Sequence, residues 1–104
     1  MKKDIELSFN HLVENILNDC KVLLVSKSHD YAENDNRYSN FEQAGNMAGI
    51  SPEQSILNLV GIKLARIKQL ITTDKQAKNE SIEDSIKDAI NYLLLLNGKL
   101  KGIK

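Results

Sequence analysis

The chain has 104 residues, enough for one modest core and too few for two. Its 14 basic and 14 acidic side chains cancel, so no global field steers it toward a nucleic acid polymer or an anionic membrane. With no Trp, three Tyr and two Phe it offers no stacking platform for single strands, and a single cysteine excludes an intramolecular disulfide.

From Asp4 to Ser26, apolar residues recur at Ile5, Phe9, Leu12/Val13, Ile16/Leu17, Cys20 and Leu23/Leu24. This three-four spacing predicts a first helix over 4–26, with Cys20 as a reduced core thiol. His11, Glu14, Asn15 and Asn18 fall on its wet side, where His11 reads as a surface histidine. Asp4 and Glu6 follow Met1-Lys2-Lys3 at once, with no apolar signal region. The longest apolar run, Tyr92 to Leu96, is far too short to span a bilayer. These features predict a cytoplasmic protein with no membrane partner.

Residues 27–39 (KSHDYAENDNRYS) are polar with no apolar period, which predicts a loop. The loop is long for a helix connection, and it concentrates groups able to read a polar ligand: His29, Asp30, Tyr31, Asn36, Arg37, Tyr38 and Asn40. An ordinary solvated loop has the same composition. Asn40 is placed to cap a short helix over 41–48, with Phe41, Ala44 and Met47/Ala48 inward and Gly49 as its left-handed stop.

Ser51-Pro52-Glu53-Gln54 starts the third helix, predicted over 52–72: a hydroxyl cap, a proline at the first position, and Gln three residues after the cap. Ile56, Val60, Leu64, Ile67 and Ile71 share one apolar sector. Lys63 falls inside that sector and Arg66 on its flank. An unpaired buried charge is costly, so these cations need carboxylates from another helix, an anionic ligand, or stems that carry the charge to the edge.

After a polar turn over 73–78, Asn79 caps a fourth helix over 80–97, with Gly98 at its end and a frayed tail, 99–104. Its core face is Ile82, Ile86, Ala89/Ile90, Leu93 and Leu96. Glu80, Asp84 and Asp88 form a carboxylate stripe roughly opposite, a solvated face by default. Those acids can also pair with Lys63, Arg66 or Arg37, or hold Mg²⁺ through water and substrate phosphates, which makes Mg²⁺ the one cofactor the chain admits. Leu94 and Leu95 make the end of this helix apolar all round, so cover on both sides is expected. The fold class is all-α, with three long helices and one short one in a single domain, 1–104. A homo-oligomer, dimer or higher, is expected to complete the bundle.

The order Asp30-Tyr31-Ala32, Asn40-Phe41, GIKLARI at 61–67 and ESIEDSIKDAINY at 80–92 resembles a known family. It is similar, over roughly 27–95, to small phage-encoded all-α nucleotide-modification-associated domains of unknown function. Those carry an Asp-Tyr-Gly-like loop, a Lys-x-x-Arg helix and an acidic helix ending Asp-x-x-x-Tyr. The resemblance implies ligand-binding roles for Asp30, Tyr31, Asn40, Lys63, Arg66 and Tyr92, joined by Arg37 of the loop, and metal-binding roles for Glu80, Asp84 and Asp88. More remotely, the chain looks like MazG-type nucleoside triphosphate pyrophosphohydrolases, which hold Mg²⁺ with carboxylate pairs on neighbouring helices. Here the first helix lacks a Glu-Glu-x-x-Glu run and offers only Glu6, Glu14 and Asp19 on scattered faces. Half the ligands of two-metal hydrolysis are therefore missing, and no catalytic residue is assigned.

Three functions follow. The first is binding, and sequestering, a nucleotide or nucleotide-derived signalling molecule through Lys63, Arg66 and residues 29–40. The second is Mg²⁺-dependent pyrophosphohydrolysis. The third is inhibition of a host defence protein through Leu94/Leu95 or the loop.

Overall fold

This computed structural model describes the backbone of residues 2–31, 36–73 and 79–104, and the side chains of 8–26, 36–73 and 82–104. Its helices are α1 (Lys2–Tyr31), α2 (Ser39–Ala48), α3 (Pro52–Thr72) and α4 (Asn79–Leu100), with no strand among the described residues. The fold is all-α. No described helix is long and apolar enough to cross a membrane.

The helix termini show which local signals decided the structure. α1 continues past Ser26 to Tyr31, so the first part of the predicted loop is helical. The end of the apolar period at Ser26 is therefore not the end of the helix. α2 opens at Ser39, two residues before the predicted start, and Asn40 does not cap it. Tyr38 is the N-cap, with no side-chain cap bond, and Asn36 braces the turn before it. Its Oδ1 accepts from the Tyr38 N–H at 3.1 Å, its carbonyl accepts from the Ser39 N–H at 3.1 Å, and its Nδ2 donates to Glu42 Oε1 at 2.7 Å. Gly49, at φ 73°, ends α2 as predicted, with Gly49 N–H to Asn46 O and Ile50 N–H to Gly45 O. Gly45 lets the chain fold back: a Cβ there would lie 2.8 Å from Ile50 O and 3.1 Å from Ser51 O. The capping box opens α3 as expected. Ser51 Oγ accepts from the Gln54 N–H at 3.1 Å, and Gln54 Oε1 accepts from the Ser51 N–H at 3.0 Å.

α3 and α4 run antiparallel: Ile56 shares a core cluster with Leu95, and Lys63 pairs with Asp88. The buried faces are rotated from the predicted ones. On α3, Ile56, Val60 and Leu70 are buried, while Leu64 and Ile71 are 56% and 64% exposed. On α4, Ser85, Ala89, Asn91 and Leu95 are buried, while Ile86 and Leu93 remain 36% and 48% exposed. Each helix carries more apolar residues than one seam can cover. The seam includes Lys63 and Asp88 because their charges meet there. Leu95 belongs to the core, which leaves Leu94 alone of that pair at the surface.

The core cluster is Tyr38, Phe41, Ile56 and Leu95, with Leu24, Leu59, Tyr92 and Leu96 packed around it. Tyr38 is 5% exposed, and its hydroxyl donates to Ile103 O at 2.9 Å. It passes over Gly98, where a Cβ would lie 2.6 Å from the hydroxyl oxygen. Gly98 is thus inside α4 and does not end it. Gly102, at φ 72°, stops the helix, with Gly102 N–H to Lys99 O and Ile103 N–H to Gly98 O. The tail expected to fray is docked.

α1 meets α4 through Cys20, whose Sγ donates to Lys87 O at 3.8 Å, and through Asp19, paired with Lys87 at 2.9 Å. Cys20 is a buried free thiol, as expected, and burial pushes its pKa up. The Asp19 hydrogen bond raises the Lys87 pKa. Farther toward the N-terminus, Phe9, Leu12, Val13 and Leu17 are exposed.

Candidate functional site

A cleft of about 410 Å³ opens where α2, α3 and α4 converge. Phe41 of α2 and Tyr92 of α4 form its aromatic wall, edge to face with centroids 6.4 Å apart and planes at 89°. Leu59 and Ala44 continue the apolar lining, and Asn40, Ser55 and Asn58 supply amide and hydroxyl groups. Ser55, Asn58 and Leu59 reach it together because three-four spacing places them along one side of α3.

Lys63 follows Leu59 by one turn of α3, and Asp88 precedes Tyr92 by one turn of α4. Their ion pair, 2.9 Å from Nζ to Oδ2, is therefore the next contact along the seam beyond the cleft. The two side chains are 27% and 24% exposed, neither dry nor freely solvated. Of the three reasons for a cation on this face, a carboxylate from another helix is present. Arg66 and Asp84 come one turn further along, both exposed, and no ion pair holds Arg66 among the described residues.

The other sequence candidates fall as follows. Arg37 is exposed in the turn before α2 and does not line the cleft. Asp30 and Tyr31 lie on the last turn of α1, and Glu80 on the first turn of α4, with side chains outside the described residues. Asp84 and Asp88 are the described members of the carboxylate stripe. Among the described residues no group of three or more His, Cys, Asp or Glu is placed to hold a metal ion. The structure thus brings Asn40 and Tyr92 into one cleft and Lys63 and Asp88 into one pair beside it. Sequence reasoning missed Ser55, Asn58 and Leu59 as lining, and it assigned Phe41 only to the core.

A second cleft, about 490 Å³, lies between the start of α2 and the end of α4, where Asn36, Tyr38, Glu42 and Lys99 meet residues 102–104. Two of its charges are already paired. Lys99 bonds Glu42 at 3.1 Å and lies 5.2 Å from the centre of the Tyr38 ring. Hydrogen bonds from Lys99 first, and from Asn36, hold the Glu42 carboxyl below its ordinary range.

Fold and cleft together define an all-helical protein with an aromatic-walled, polar-rimmed cleft at a three-helix junction. Residues 27–96 match the family described as nucleotide modification associated domain 1, and the chain belongs to that family. The matched segment includes every residue lining the α2–α3–α4 cleft and the Lys63–Asp88 pair, and it leaves out most of α1. No curated protein and no solved structure gives a significant match.

Proposed function

We propose that this protein binds a nucleotide or a nucleotide-derived signalling molecule in the α2–α3–α4 cleft and sequesters it without turnover. The observation that carries this reading is the meeting of Asn40 and Tyr92, more than fifty positions apart, in a cleft that ends one helical turn from Lys63. Its volume, about 410 Å³, suits a ligand of nucleotide size. The base packs against Phe41 and Tyr92, and Asn40 and Asn58 read its polar edge. Lys63 and Arg66 receive phosphate, with Arg planar and bidentate. A phage-type protein that withdraws an immune signal from its host is the biological form of this proposal.

Asp88 separates this reading from Mg²⁺-dependent pyrophosphohydrolysis, which the one-turn spacing of Asp84 and Asp88 beside two cations supports. If Lys63 serves phosphate, Asp88 competes with the ligand, and Asp88→Asn tightens anion binding. If Glu80, Asp84 and Asp88 hold metal, Asp88→Asn abolishes metal-dependent pyrophosphate release. Titration calorimetry against mono-, di- and cyclic nucleotides tests the first reading. Binding is expected, weakened about tenfold or more by Lys63→Ala and by Tyr92→Ala. Absence of heat with every ligand at high protein concentration rejects it. Pyrophosphate release that stops with EDTA and in Asp84→Ala establishes the second.

A further inference from the structure

We propose that the outer face of the α3–α4 hairpin, on the side away from α1 and α2, is where a second copy of this chain docks. On α3, Leu57, Leu64 and Ile71 follow at seven-residue steps and are 54%, 56% and 64% exposed. On α4, Ile86 and Leu93 repeat the step. Seven-residue spacing of exposed apolar residues is the pattern of helices that pack on further helices at shallow angles. Leu57 stands about 200° round α3 from Ser55 and Leu59, the side that α2 covers. Ile86 and Leu93 stand about 100–120° round α4 from Lys87, where α1 docks. Both stripes are displaced in the same rotational sense from the α3–α4 contact line. In an antiparallel pair that places them on one side, forming a continuous face.

Three observations favour a second copy as the occupant. The first is area. At these exposures the five residues leave about 450 Å² of apolar surface, the size of a monomer's largest patch, which is often an interaction site. With the usual polar rim this becomes roughly 700–800 Å² per partner, the size of a standard stable interface. The second is charge. The chain has no net charge, and Lys68 and Glu83, the charged residues at this level of the hairpin, oppose one another in the register that pairs Lys63 with Asp88. The face therefore sets no repulsion against its own copy. The third is Gly61, which sits between Leu57 and Leu64 in the interior of α3. It is exposed, and a Cβ there would meet nothing within 4 Å. A glycine inside a helix costs stability relative to alanine, and nothing among the described residues requires this one. A partner helix backbone approaching at that point would.

Sedimentation velocity of the full chain, up to about 200 µM, tests the proposal because assembly depends on protomer concentration. The expected mass is twice the 11.7 kDa of one chain. Gly61→Arg and Leu64→Glu should each restore the single-chain mass with the far-ultraviolet helical signal retained, since both positions are open to solvent within the chain. Ile62→Glu, at a 60% exposed position on the other flank of α3, should leave the dimer intact. Single-chain mass for the unaltered protein across that range overturns the proposal. So does a dimer that survives both Gly61→Arg and Leu64→Glu, or one that Ile62→Glu dissociates equally.

Discussion

At the scale of single residues, the closest fit in the molecule is Tyr38 against Gly98. In an isolated helix, Gly→Ala gains about 1 kcal/mol. Here the added methyl would lie 2.6 Å from the hydroxyl oxygen of a side chain that is 5% exposed and tied to Ile103 O. The ring cannot yield without losing that bond, so Gly98→Ala should destabilise the fold by about 1–2 kcal/mol. Tyr38→Phe should cost about 1 kcal/mol for the lost hydrogen bond. In the Phe background the obstructing oxygen is gone, and Gly98→Ala should become neutral or stabilising. Urea denaturation of the four proteins measures the coupling, and strictly additive effects would refute the contact. A second residue-scale prediction concerns Asn91, 8% exposed, whose Oδ1 is buried without a hydrogen-bond partner among the described residues. Asn91→Leu keeps the branching and removes the orphaned oxygen, so it should raise stability by about 1 kcal/mol. A lowered melting temperature would show that the oxygen is serving a purpose.

At the scale of elements, the clasp between the start of α2 and the end of α4 makes stability depend on pH with a defined sign. The Glu42 carboxyl is held below its ordinary value of 4.5, mainly by its hydrogen bond from Lys99. Its contribution is complete above that value and is lost as pH falls through the lowered folded value. Glu42→Gln should therefore melt earlier than the unaltered protein at pH 7, and the gap should close as pH drops below 4.5. A gap that persists in acid would assign the effect to packing and not to charge. The elements also show what a sequence discloses. Ser51 and Gln54 carried a complete start signal in four residues, and Gly49 a complete stop, because both act through their own neighbours. Gly98 misled because its role is set by Tyr38, sixty positions away in the chain. Tyr38 was hidden in turn by polar neighbours that gave no hint of burial. The rotated seam was equally illegible, since α3 and α4 each have two apolar stripes and only their mutual contact selects one.

At the scale of the whole molecule, α3 and α4 form the central pair, while α1 is fastened near Asp19, Cys20 and Leu24 and leaves Phe9 through Leu17 largely exposed. Hydrogen exchange should follow that arrangement. Amides around Val60 and Leu95 should exchange last, and those between Ser8 and Leu17 should exchange much earlier. Uniform protection along α1 would mean that its outer half is held as firmly as its inner half. The site was legible to the extent that single residues carry chemistry. Lys63 stood out as a charge in an apolar sector, and Asp88 was among its foreseeable partners. The cleft itself was not legible, because Asn40, Ser55 and Tyr92 come together only once three helices pack.

The Lys63–Asp88 bridge has one more consequence. An anion that draws Lys63 away leaves behind a three-quarters-buried carboxylate short of one neutralising neighbour. A cation arriving there is then more welcome than before, and by reciprocity a cation at Asp88 frees Lys63 for the anion. Uptake of opposite charges is thus thermodynamically linked at this point of the molecule, favouring a ligand that travels with its own counterion over a bare one.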